Sequence, residues 1–115
     1  MKDCIFCKIS KGEIPCNKVL ESENFMVFAD AHPRTKGHSL VIPKEHFETF
    51  LDVPQNLYKE FLETTRKATE KILKENSATG FNLATNNKQE AGQVVPHFHL
   101  HIIPRKNSDG LKLFN

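Results

Sequence analysis

Three histidines, His97, His99 and His101, alternate with Phe98, Leu100 and Ile102 toward the C-terminal end of a 115-residue chain. Imidazole changes charge near neutral pH, and its unprotonated nitrogen can attack, accept or ligate. On a strand, a spacing of two puts the three rings on one face, about 6.5 to 7 Å apart, with the apolar residues on the other. The apolar side can close a core. The histidine side then looks into a polar site, because three buried imidazoles without partners would be costly. One such histidine is usually structural, whereas three in alternation point to chemistry. Two chemistries fit the row. Either it ligates a metal, as His-x-His on a strand can, or one imidazole is a nucleophile whose neighbours bind an anionic substrate. Composition alone leaves both open.

Cys4 and Cys7 form a second candidate. On a helical turn they share a face, but no second Cys or His pair follows locally to complete a zinc motif. No βαβ pattern surrounds them, which argues against a thioredoxin-like redox role. The third cysteine, Cys16, makes the count odd and argues against a disulfide framework. The segment Met1-Lys2-Asp3-Cys4-Ile5 carries no apolar leader, so a reducing, cytoplasmic setting is expected. No apolar run reaches the length of a membrane span, so no membrane partner is expected. A net charge of +2, with Lys and Arg interleaved with Glu, argues against a nucleic-acid surface.

These groups need a scaffold, and 115 residues suffice for one domain, 1–115, with its own core. Residues 4–11 read as a short helix with Ile5, Phe6 and Ile9 on one side, stopped by Gly12. Lys18–Glu21 and Phe25–Ala29 read as strands joined by a hairpin turn, and His38–Ile42 as a third strand closed by Pro43. A long helix follows. Asp52 is its expected N-cap, Pro54 falls in its first turn, and Leu57, Phe61, Leu62, Ala68, Ile72 and Leu73 form its apolar stripe. Residues 81–85 and 97–103 complete five strands, the last stopped by Pro104. The order predicts an α+β domain: an antiparallel sheet of about five strands with one long and one short helix.

The run Gly92-Gln93-Val94-Val95-Pro96-His97-Phe98-His99-Leu100-His101-Ile102-Ile103 resembles the signature of the histidine-triad (HIT) superfamily. Asp3 to Ile9, Glu13-Ile14-Pro15, Phe28-Ala29-Asp30 and Gly37 to His46 resemble family segments in the same order, so the likeness spans nearly the whole chain. It implies a HIT-like fold and a hydrolase or nucleotidyl transferase that cleaves at the α-phosphate of a nucleoside phosphoramidate or dinucleoside polyphosphate. His99 matches the family nucleophile, which forms a transient nucleotidyl-histidine. His101 matches the donor to phosphate or leaving group, and His38 the upstream histidine that completes the set. Asp30 matches the acid that takes the ribose hydroxyls. Asn86, Gln93 and the backbone at Val94 match the phosphate and sugar contacts. Ile5, Phe6, Ile9, Phe28 and Ala31 match an apolar pocket for a base, expected to be a purine. A bacterial-type subset holds structural zinc with residues that match Cys4, Cys7, His46 and His97, and its mechanism needs no catalytic metal on the triad. The resemblance also implies a homodimer. Many relatives carry Ser or Thr where this chain has Val94. A purine nucleotide-binding regulatory module with little turnover is therefore a second expectation, and a catalytic metal on His99 and His101 a third.

Overall fold

The computed structural model describes residues 3–114; Met1 and Lys2, part of the N-terminal segment read above, lie outside the described residues, as does Asn115. The elements are α1 (Ile5–Ser10), β1 (Lys18–Glu21), β2 (Phe25–Ala29), β3 (Ser39–Pro43), α2 (Tyr58–Glu75), β4 (Gly80–Ala84) and β5 (Leu100–Arg105). The five strands form one sheet in the order β1-β2-β3-β5-β4, antiparallel throughout. This is the expected α+β architecture. Among the described residues, no helix is long and apolar enough to cross a membrane.

Alternation along β2 and β3 gives the sheet two different faces. Phe25, Val27 and Val41 point toward α2 and join Ala68, Ile72 and Ile102 in one buried cluster. Met26, Phe28, Leu40 and Ile42 point the other way and join Phe6 and Ile9 of α1. His101 stands opposite Leu40 across the β3–β5 ladder, which places it on the α1 side. Phe98 closes the far side, its ring 5.6 Å from that of Phe61. The β1–β2 turn is held to α2 by Glu60, whose carboxylate accepts from the Ser22 hydroxyl and from the Asn24 main-chain and side-chain N–H groups.

The boundaries differ from expectation in informative ways. Asp52 does not cap α2. It closes a capping box with Thr49 over a 3₁₀ turn, Phe50–Asp52. The residue before a proline is pushed out of helical conformation; Val53 is accordingly extended before Pro54, and α2 starts only at Tyr58. Leu62 is not in the apolar stripe but 66% exposed; the buried face is Thr64, Thr65, Ala68, Thr69 and Ile72. Pro43 lies inside β3 rather than after it. Pro104 also lies inside its strand, opposite Phe81. The Pro104 carbonyl accepts from the Thr35 hydroxyl, so its nitrogen, on the same edge, faces away from β4 and the missing N–H costs that ladder nothing. His38 precedes β3, because its N–H turns back to the Thr35 carbonyl. His97 and His99 precede β5, which starts at Leu100.

Candidate active site

Although only His101 is in the ladder, the three histidines stay on the α1 side. Phe6 lies edge-on to both His97 and His99, with ring centroids 5.7 and 5.0 Å away, and His99 lies 5.2 Å from His101. Burial pushes all three below the usual histidine range: His97 and His101 fall to about 4, and His99 is lowered as well. The nearby His99 and His38 push His101 further down. Burial also lowers His38, against the opposing pull of Asp30. These rings are therefore neutral at physiological pH, each with one N–H and one lone pair.

Their partners fix which nitrogen carries the proton. His99 Nδ1 lies 2.8 Å from the His97 carbonyl oxygen, which can only accept. Nδ1 therefore holds the hydrogen, and Nε2 carries a free lone pair. A second chain of bonds fixes the other two rings. The Arg34 main-chain N–H donates to His38 Nδ1 at 3.0 Å. His38 must then carry its proton on Nε2, which lies 2.9 Å from His101 Nδ1 and donates to it. That leaves His101 with Nε2–H as its remaining donor. Asp30 closes the group, one carboxylate oxygen 3.5 Å from His38 Nε2 and the other accepting from the His32 N–H.

Asp30, His38 and His101 also lie close enough to ligate an ion. A cation there would need the lone pair of His38 on Nε2, whereas the Arg34 N–H holds it on Nδ1. A different cluster suits a metal better. Cys4, Cys7, His46 and His97 place one ligand atom each within 4.8 Å of one another. Sulfur–nitrogen separations are 3.2 Å (Cys4–His97), 3.3 Å (Cys7–His46) and 3.6 Å (Cys7–His97). Tetrahedral zinc with ordinary bond lengths would set such pairs about 3.5 Å apart. Burial and the neighbouring Cys4 raise the Cys7 thiol, an arrangement that a bound cation would relieve. His97 presents the Nδ1 lone pair to both sulfurs because its Nε2–H donates to the Pro43 carbonyl at 2.8 Å.

The expected binding residues fall into two groups. Phe6, Ile9 and Phe28 are buried in the α1-side core. Ile5, Ala31 and Asn86 reach the surface. Ile5 and Val94 share a cleft of about 620 Å³ with Cys4, His46, Glu48 and Val95. Beside Asn86, Gly92 turns the loop at φ +89°, a left-handed conformation that favours glycine. Gln93 is turned toward its own loop, its amide oxygen accepting from Lys88 N–H and its nitrogen donating to the Glu48 carbonyl. Val94 is 89% exposed and brings no hydroxyl. Three contacts had no signal in the sequence. The Arg34 N–H and the Pro43 carbonyl act through main chain, where residue identity is silent. Thr85, whose hydroxyl donates to the His99 carbonyl, gave no pattern to find it by.

A family model described as the HIT domain matches residues 11–108. An adenosine 5'-monophosphoramidase of Schizosaccharomyces pombe is 42% identical over 106 residues, covering 92% of this chain and 77% of the relative. An adenylylsulfatase of Arabidopsis thaliana is 41% identical over 109 residues; these cover 95% of this chain but only 55% of that longer protein. The crystal structure of a HIT family member from Bacillus subtilis superposes with a TM-score of 0.89 at 43% identity, covering 93% of this chain and 76% of that one.

Proposed function

Because this chain belongs to the HIT domain family, we propose that it is a nucleotide hydrolase that cleaves at an α-phosphorus through His99. The observation that carries this reading is the bond from His99 Nδ1–H to the His97 carbonyl, which leaves Nε2 unprotonated. In the first step the Nε2 lone pair forms a P–N bond as the bond to the leaving group breaks. Positive charge develops on the ring and is stabilised at Nδ1–H by the carbonyl. Nε2–H of His101 is the donor for the phosphoryl oxygens or the leaving group. Water then attacks phosphorus, releasing the nucleoside monophosphate and restoring His99, so one displacement becomes two. Asp30 takes the ribose hydroxyls; Asn86 and the main chain at Gln93 and Val94 face the phosphate; Ile5 and Ala31, backed by Phe6, Ile9 and Phe28, face a purine base. The names of the relatives favour an adenosine phosphoramidate or adenylyl sulfate, a phosphate–sulfate anhydride, over other leaving groups.

Zinc at Cys4, Cys7, His46 and His97 completes the reading, and the donor set and its spacing support it. Such a site contributes folding energy; no catalytic metal is needed at His99 or His101. Three cysteines outside any disulfide suit a reducing cytoplasm.

His99→Gly is the test. It should abolish hydrolysis of adenosine 5'-monophosphoramidate while AMP still binds, and wild-type protein quenched in acid during turnover should carry a covalent adenylyl group. Full activity in the variant overturns the nucleophile assignment. A wild type that binds AMP, forms no adduct and barely turns over is instead the regulatory module that exposed Val94 favours.

A further inference from the structure

His97 spends every polar group it has. Its Nε2–H donates to the Pro43 carbonyl, and its Nδ1 faces the two thiols. Its N–H donates to the Val95 carbonyl at 2.8 Å. Its carbonyl accepts from His99. The peptide plane that carries this carbonyl is also held at its opposite edge: the Phe98 N–H donates to the Phe47 carbonyl at 2.6 Å. Phe47 directly follows His46, whose Nδ1 lies 3.3 Å from Cys7 Sγ. The His97–Phe98 peptide therefore sits between two candidate ligands, His46 on one side and His97 on the other. Rotating it would break the Phe47 bond and turn the carbonyl away from His99 together. The His97 ring is fully buried and cannot swing aside to absorb a change in the cluster.

We infer that His97 is a positioning residue that transmits metal occupancy to the nucleophile. A metal that draws Cys4, Cys7, His46 and His97 together fixes the peptide plane, and the plane fixes which nitrogen of His99 carries the proton. An emptied site lets His46 and His97 part, the carbonyl leaves Nδ1, and the reactive lone pair is no longer held in one place. This rests on the zinc and nucleophile roles proposed above, and extends them by making the metal a condition of catalysis and not only of folding.

The experiment compares zinc-loaded protein, the same protein stripped with chelator, and the stripped protein given zinc back. The readouts are zinc content, the nitrogen-15 signature of the His99 ring, kcat on adenosine 5'-monophosphoramidate, and AMP affinity. Loaded protein should show His99 as a single Nδ1–H tautomer. Stripping should convert it to a mixture and lower kcat by about 10- to 100-fold, the usual effect of losing a contact that orients a site. AMP affinity should stay within about twofold, because ground-state binding does not use the lone pair. Returned zinc should restore both signals. Should full stripping unfold the chain, Cys4→Asp and His46→Gln, which keep a weaker metal site, carry the comparison: tautomer and kcat must shift together. Independent shifts, or a stripped, folded protein with both unchanged, overturn this inference alone. A protein that never holds zinc overturns it along with the zinc reading, and an active His99→Gly points the failure at the nucleophile instead.

Discussion

A buried imidazole answers to two forces, its partners and its desolvation, and in this site they act in concert. Each partner fixes a tautomer, while burial keeps the ring neutral. The consequence is an acid-labile fold. In an unfolded chain histidine titrates near about 6.5. In the fold His101 sits at about 4, and His38 and His99 are also lowered. Between those values the unfolded chain binds protons that the native state refuses, so stability rises with pH. It should be complete above about pH 6.5 and be lost progressively toward about pH 4. Thermal melts across that range test this, and a flat Tm would contradict it. The nucleophile stays neutral by the same cause, so the acid limb of kcat/KM should lie below about pH 6.5.

At the scale of elements, the loop from Thr85 to Pro96 carries the strained conformation. Lys88 adopts φ 74° and ψ 159°, a region used almost only by glycine. It is kept there by Gln93, which accepts its N–H, and by the Ala91 and Gln93 N–H groups on its carbonyl. Lys88→Gly should therefore stabilise the protein, by about 1 kcal/mol, even though it deletes the exposed Lys88–Glu48 ion pair, worth little by itself. Denaturant unfolding measures this; a loss of stability would show that the ion pair outweighs the strain. The same loop shows how far the sequence could be read. Phe25–Ala29 was legible as a short, unbroken apolar run bounded by turn residues, the pattern of a strand packed on both faces. The side on which His97, His99 and His101 lie was legible because they alternate with Phe98, Leu100 and Ile102. The start of β5 was not, because His97 is held through its ring by the Pro43 carbonyl and through its N–H by Val95, not by main-chain ladder bonds. Asp52 misled because a capping box serves a single 3₁₀ turn as well as a helix. Leu62 misled because threonines, not leucines, fill the buried face of α2.

For the whole molecule, the sheet divides its labour. α2 packs on β1, β2 and β5, and the outer strand β4 keeps exposed apolar side chains on that side. Phe81 and Leu83, which share a face with Pro104 and Ile102 across the ladder, are 45% and 46% exposed there. Tyr58 and Leu62 on α2 are also exposed. A homodimer would cover such a surface. The homodimer that the resemblance implies would be tested on this face: Phe81→Lys with Leu83→Lys should shift light scattering from dimer to monomer, and a wild-type monomer would dispose of the assembly. His38, His97, His99 and His101 lie on the opposite face. Substitutions on the two faces share few partners and should combine additively. The layered sheet thus gives the molecule two independent dials: a change to the apolar patch beside α2 need not disturb the histidines, and a change among the histidines need not disturb the patch.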